Sequence, residues 1–271
     1  MTRRKLPYFT ENTKKNMADS SFFTHALIFD DLLIIAQKET NCFVLNTGEG
    51  LILIDAIWPG KDFFEAIVSA VKSVGWSPDE IKKLVITHGH ADHTGCGKYF
   101  VDNYHVTTYL SETDDEFWDS HPAIPDRTET YKDFNIDVYI GEGDSICLGN
   151  KEIKVVSTPG HTPGCLSFIF PVMEDGIVHM AALWGGTAPP ASKEDIKQYL
   201  DSLERFQKIA EKENVDVALS NHTAVDNGLE RIAYSKKRTD YLPNIYIIGK
   251  DGFSKYCEVF RNLAAGAADS I

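Results

Sequence analysis

Thr87-His88-Gly89-His90-Ala91-Asp92-His93-Thr94-Gly95 gathers four ligand-type side chains into six residues. It follows directly on the apolar run Leu84-Val85-Ile86, which reads as a buried strand. A loop at the end of such a strand is held by a rigid scaffold. In an extended segment alternate residues point the same way and recur about every 6.6 Å. His88 and His90 can therefore converge on one point if the chain curls at Gly89, while Asp92 and His93 lie beyond the turn and face a second point. Neutral imidazole and carboxylate are ligands of zinc and related divalent ions, at bond lengths of about 2.0–2.2 Å. The intervening Gly and Ala let the backbone fold this tightly.

The rest of the chain supplies the scaffold. With 43% hydrophobic and 25% charged residues over 271 positions, it has the make-up of a globular protein with a sizeable core and not of a disordered or collagenous chain. From His25 the apolar residues fall in short β-rich runs, Ala26–Phe29, Leu32–Ala36, Cys42–Leu45 and Leu51–Ile54, broken by hairpin-turn signals. Helical spacing follows at Phe63, Phe64, Ile67, Ala70 and Val71. Ser77-Pro78-Asp79-Glu80 carries a capping-box signature for a short helical turn. Another helix is expected from Gly95 to Tyr104, then a strand at Val106–Leu110. A second strand-rich block covers Ile136–Ile140, Ser145–Leu148, Ile153–Val156, Cys165–Phe170 and Ile177–Trp184. Ser192 caps a long amphipathic helix, a strand at Val217–Leu219 follows, and Gly252–Ala267 reads as a closing helix. Two halves, each a hairpin-rich sheet followed by helices, predict one four-layer domain over residues 23–271 behind an N-terminal arm, residues 1–22.

Charge and cysteine usage narrow the function classes. Lys plus Arg is 27 against 40 Asp plus Glu, a net charge of −13. That field repels nucleic acid and anionic membranes and leaves a small molecule as the expected partner. Cys42, Cys96, Cys147, Cys165 and Cys257 show no C-x-x-C pair or framework spacing. They read as reduced thiols, and with no apolar run after Arg3-Arg4-Lys5 the expected location is the cytoplasm.

Two further strand ends offer ligands. Thr158-Pro159-Gly160-His161-Thr162-Pro163-Gly164 sets His161 in a rigid Pro/Gly loop, and Ser220-Asn221-His222-Thr223 places His222 beyond another strand. The H-x-H-x-D-H motif, the T-P-G-H-T-P-G loop and the later strand-end histidine together resemble the metallo-β-lactamase superfamily. The resemblance implies an αβ/βα sandwich, two mixed sheets with helices outside, and a metal centre at the sheet edges. It implies that His88, His90 and His161 bind a first metal and Asp92, His93 and His222 a second, two Zn2+ ions with Fe2+ or Mn2+ as alternatives. Most hydrolases of this superfamily carry an aspartate in a G-D-T segment that bridges both metals. The corresponding segment here is Gly185-Gly186-Thr187, so the chain resembles most closely the β-lactamase branch, which also lacks the bridge.

The activity so implied is hydrolysis, a hydroxide shared by two zinc ions attacking the carbonyl of a lactam, amide, lactone or ester. Asp92 serves as ligand and as catalytic residue, orienting the nucleophile and taking part in proton transfer. Two other classes compete: a mononuclear iron oxidoreductase resembling persulfide dioxygenases, and a non-catalytic protein that holds a metal for structure. His25, His105, His121 and His179 have no motif around them and are expected to be non-ligands. Trp58 and Trp184 are candidate walls of a substrate pocket, and Trp118 is a candidate part of a lid over it. Asn221 and Tyr234 are candidate donors to a substrate, and Asp114-Asp115-Glu116 reads as a solvated helix face.

Overall fold

The computed structural model describes residues 19–120, 134–190 and 192–269. The expected arm falls mostly outside these residues, as does His121. Twelve strands form two sheets. The first comprises β1 (Thr24–Phe29), β2 (Leu32–Ala36), β3 (Asn41–Asn46), β4 (Leu51–Ile54), β5 (Ile81–Val85), β6 (Thr107–Leu110) and β7 (Val138–Tyr139), in chain order. It is antiparallel from β1 to β4 and parallel from β4 to β7. The second is ordered β12-β11-β10-β9-β8, from β8 (Ser145–Leu148), β9 (Lys151–Ser157), β10 (Leu166–Glu174), β11 (Ile177–Trp184) and β12 (Val217–Ser220). Only its β11–β12 pair is parallel.

β2, β3 and β4 read as apolar runs because both of their faces are buried. In β2, Leu32, Ile34 and Ala36 enter the core between the sheets, while Leu33 and Ile35 enter a second core beneath the helices. The same alternation in β3 sends Phe43 and Leu45 inward and Cys42 and Val44 outward. Helices α1 (Lys61–Ser73) and α3 (Gly97–Tyr104) close that outer core with Phe63, Ile67, Val71 and Phe100. On the other side α5 (Lys193–Lys212) and α7 (Gly249–Ala268) pack Tyr199, Leu203, Phe206, Phe253 and Phe260 against Trp184 and Ile169. Three apolar cores separate four layers, the αβ/βα sandwich expected. Among the described residues, no helix is long and apolar enough to cross a membrane.

β2, β4, β8 and β11 match their expected bounds, and the other predicted elements recur with shifted ends. Ser192 caps α5 through its hydroxyl, which accepts the Asp195 N–H at 3.1 Å. The Ser77 turn is a 3-10 turn (Pro78–Glu80) without a side-chain cap. Two helices carry no strong sequence signal: α4 (Glu112–Ser120) and α6 (Gly228–Ser235).

Phe168 in β10 is fully buried between the sheets. Phe168→Ala should cost about 3–5 kcal/mol in urea unfolding, whereas Tyr241→Ala, at a position 96% exposed, should stay within about 0.5 kcal/mol. Equal effects at the two positions would contradict the layered packing.

Candidate metal centre

Three strand ends deliver the candidate ligands to one place. β5 runs into Thr87 and His88; Gly89 and His90 follow, and a single helical turn, α2 (Ala91–Thr94), carries Asp92 and His93. The backbone of the Asp55–Ile57 segment after β4 cradles that turn, with Ala56 N–H donating to His93 O at 2.7 Å and Gly95 N–H to Ile57 O at 3.0 Å. His161 lies in the loop between β9 and β10, and His222 just past β12.

The six side chains form two groups, His88/His90/His161 and Asp92/His93/His222, with the ligand atoms of each within 4.8 Å of one another. His90 Nδ1 lies 3.1 Å from both His88 Nε2 and His161 Nε2. His93 Nε2 is 3.2 Å from His222 Nε2 and 3.5 Å from Asp92 Oδ2, which is 3.7 Å from His222 Nε2. The groups adjoin, since the rings of His88 and His93 are 4.1 Å apart between centroids. His88 and His93 are fully buried, while His90, His161 and His222 are only partly so. One side of the centre is therefore open.

The hydrogen bonds behind the rings decide which nitrogen faces inward. His161 Nδ1 lies 2.7 Å from Ala188 O, His222 Nδ1 3.2 Å from Glu39 O, and His93 Nδ1 2.8 Å from Asp55 Oδ2. Carbonyl and carboxylate oxygens only accept, so each Nδ1 carries a hydrogen, and on the neutral His161 and His222 rings Nε2 presents a bare lone pair. His88 follows by elimination. Thr87 spends its hydroxyl hydrogen on Asp55, at 2.9 and 3.0 Å, and so accepts from His88 Nδ1–H at 3.0 Å. In the second group, Nε2 of His93 and Nε2 of His222 face each other beside a carboxylate oxygen. A proton on His93 Nε2 or a cation between the three atoms satisfies these facing acceptors. The donor set fits a divalent ion at both groups.

The electrostatics agree. Burial drives the His88 imidazole well below its ordinary pKa, helped by the neighbouring imidazoles, and burial does the same to His161. Burial also lowers His222. These rings are neutral, the form that binds metal. Burial raises the Asp92 carboxyl, but His93, His222 and His90 outweigh it and hold it at about 2. His93 moves the other way: burial opposes its charge, yet Asp92 and Asp55 prevail and raise it. This corner attracts positive charge.

Some supporting residues escaped the sequence reading. Asp55 is buried and adopts a left-handed backbone at φ 60°. Besides His93 and the Thr87 hydroxyl it accepts the Thr87 N–H at 2.8 Å. A charged residue closing the doubly buried Leu51–Ile54 run was the available signal. Thr40 donates its hydroxyl to Asp92 Oδ2 at 3.2 Å. Phe117 packs edge-on to His90 at 5.7 Å, a contact that nothing in the sequence marks.

Other expectations are corrected. Trp58, Trp118 and Trp184 are 2%, 3% and 1% exposed and belong to the cores beneath the helices, so Trp58 and Trp184 wall no open pocket and Trp118 forms no lid. The run Asp114-Asp115-Glu116 is not a solvated face, because Asp114 and Asp115 are buried and only Glu116 is exposed. Asn221 is buried and donates to Gly185 O at 2.9 Å, and the Tyr234 hydroxyl donates to Pro243 O. His25 pairs with Ser73 and His179 with Asp216, while His105 closes α3. None of the three joins either group.

The missing bridging carboxylate has a steric cause. A Cβ at Gly186 would lie 2.5 Å from His161 Cβ, and one at Gly185 1.9 Å from Leu166 O. A side chain is excluded at Gly186 by the close approach of the His161 loop, and at Gly185 by the Leu166 backbone that opens β10.

Comparison with known proteins follows the same lines. Residues 37–175, just over half of the chain, match the metallo-beta-lactamase superfamily. An N-acyl homoserine lactonase of Bacillus sp. is 24% identical over 84% of this chain and 97% of its own length. A hydroxyacylglutathione hydrolase of Chelativorans sp. is 34% identical over 39% of this chain, which spans only 34% of that relative's length. A subclass B3 metallo-beta-lactamase of Bradyrhizobium japonicum superposes with a TM-score of 0.78 at 20% identity, over 95% of this chain and 99% of its own. At that identity the superposition speaks for the fold alone. The chain belongs to the metallo-β-lactamase superfamily.

Gly186→Ala tests the steric account. It should lower stability by about 1–3 kcal/mol in urea unfolding and displace His161 in a crystal structure. Unchanged stability with His161 in place would contradict it.

Proposed function

We propose that this chain is a hydrolase holding two divalent ions, zinc in the first instance, and acting on the carbonyl of a small lactam, amide, lactone or ester. The observation that carries this reading is the inward turn of the imidazole lone pairs, in two adjacent three-ligand groups that share one open side. His88 Nε2, His90 Nδ1 and His161 Nε2 would hold one ion; Asp92 Oδ2, His93 Nε2 and His222 Nε2 the other. Divalent ions in such a centre supply Lewis acidity, lowering the pKa of water to about 7 and polarising a carbonyl.

The chain's own groups do the rest. Thr40 and Asp55 fix Asp92 and His93 from behind, so that little reorganises during reaction. Asp92 orients the attacking water and accepts its proton on the carboxylate. His90 lies at the partly exposed side with Phe117 against it, which supports an apolar flank for the substrate. Three protein ligands per group leave positions for water and substrate, as a catalytic centre requires and a structural one does not. The missing bridge between the groups matches the β-lactamase branch, whereas the relatives' names supply hydroxyacylglutathione and N-acyl homoserine lactone as further substrates to try.

Residues 23–271 act as one domain in this reading, with a small-molecule substrate and neither nucleic acid nor membrane as partner. Five free cysteines, four of them buried, support a reducing, cytoplasmic setting.

Metal analysis paired with a hydrolysis screen across lactams, lactones and thioesters tests the proposal. Two zinc equivalents per chain are expected, with chelation abolishing turnover and zinc restoring it. Asp92→Asn should lower kcat by about 10²–10⁴-fold. Two bound equivalents with no hydrolysis of any substrate would contradict the enzymatic reading. One iron per chain with oxygen-dependent turnover would contradict hydrolysis and favour the dioxygenase class.

A further inference from the structure

Asp114 occupies the third position of α4, three residues after Ser111. An acid there commonly folds back onto the N-cap backbone to complete a capping box. Ser111 does its half: its hydroxyl accepts the Asp114 N–H at 3.1 Å and donates to Gly164 O at 2.7 Å. The Asp114 carboxylate instead leaves its own helix. Oδ2 accepts the Gly89 N–H at 2.8 Å and the Thr162 hydroxyl at 2.7 Å, while Oδ1 accepts the Gly164 N–H at 2.6 Å. Gly89 stands between His88 and His90, and Thr162 follows His161. One fully buried carboxylate is thus hydrogen-bonded to both loops that carry the first ligand group.

Steric contacts show the same clamp independently. A Cβ on Gly89 would lie 2.7 Å from Asp114 O and 3.2 Å from Trp118 Cβ. One on Gly164 would lie 2.3 Å from Ser111 Oγ and 2.6 Å from Asp114 N. Each loop therefore places a residue without a side chain directly on the first turn of α4. The motif glycines at 89 and 164 have a shared reason: they let two separate loops close on one acid.

We propose that Asp114 is a positioning residue for the His88/His90/His161 group, setting the separation of its two loops, and that it does not serve the Asp92/His93/His222 group. The inference rests on the reading of those six residues as metal ligands. These hydrogen bonds reach no ligand ring; Asp114 acts through the backbone between His88 and His90, and through the residues that follow His161. An amide at this position keeps one acceptor and turns an NH2 toward a donor, so at least one loop is released. A buried carboxylate with three donors is also hard to replace with water, since the Gly89 and Thr162 donors are buried with it.

The test isolates one group at a time by competition with a chromophoric zinc chelator. In a His222→Ala background, the remaining tight binding reports the three-histidine group. Adding Asp114→Asn should weaken it by about 10–100-fold. In a His161→Ala background, which reports the other group, Asp114→Asn should leave zinc affinity unchanged. Thr162→Val, which deletes one donor and keeps the carboxylate, should weaken the three-histidine group in the same direction, and Thr162→Ser should restore it. If Asp114→Asn fails to fold, the Thr162 pair decides alone. Equal weakening of both groups, or a loss of unfolding midpoint with unchanged zinc affinity, would reduce Asp114 to a structural role and overturn the inference. If the chain without substitutions binds no zinc, the ligand assignment itself fails and the inference with it.

Discussion

Nothing about this centre works unless four imidazoles turn their Nε2 lone pairs inward, and that orientation is set on the outer side of each ring. Ala188 O, Glu39 O, Asp55 and, through Asp55, the Thr87 hydroxyl each take a hydrogen from an Nδ1. An imidazole has only one such hydrogen when neutral, so committing it outward leaves an acceptor facing in. Acceptors that meet at 3.2 Å, as the Nε2 atoms of His93 and His222 do when both rings are neutral, repel. The fold tolerates the repulsion because its layers hold the strand ends rigidly, and a cation turns it into attraction.

The scaffold explains why such an arrangement survives. His88 hangs from a strand buried on both faces, His222 from the edge strand of the other sheet, and His161 from a Pro/Gly loop between two strands of that sheet. Moving any one of them means moving a sheet whose apolar side chains fill two cores at once. Three short cross-connections then join the pieces: Asp55 between β4 and the His93 turn, Thr40 between the β2–β3 loop and Asp92, and Asp114 between α4 and two ligand loops. All three span long sequence separations and are buried, where a hydrogen bond is strong and an unmade one costly.

Much of this was legible in the sequence, for identifiable reasons. Strands with both faces buried show as unbroken apolar runs, so β2 and β4 could be bounded closely. Four ligand-type side chains in six residues are too costly to bury without a purpose, which made residues 88–93 conspicuous. His161 and His222 were legible through their flanking residues and the order of elements. The supporting acids were not. Asp55 looks like any turn residue after a strand, and Asp114 like one of three solvated acids, because burial depends on what packs above them from distant segments. The tryptophans misled in the opposite sense: large aromatics suit a pocket wall and a core equally, and here Trp58, Trp118 and Trp184 fill cores. The Gly185-Gly186 pair was legible as a missing carboxylate, but the steric reason lay in the His161 loop.

The most direct measurement is anomalous diffraction at the zinc edge from crystals of the protein grown with zinc. The account predicts two peaks, one bounded by His88 Nε2, His90 Nδ1 and His161 Nε2, the other by Asp92 Oδ2, His93 Nε2 and His222 Nε2. Crystals in which these six atoms surround no anomalous scatterer, with the imidazoles turned away from one another, would contradict it.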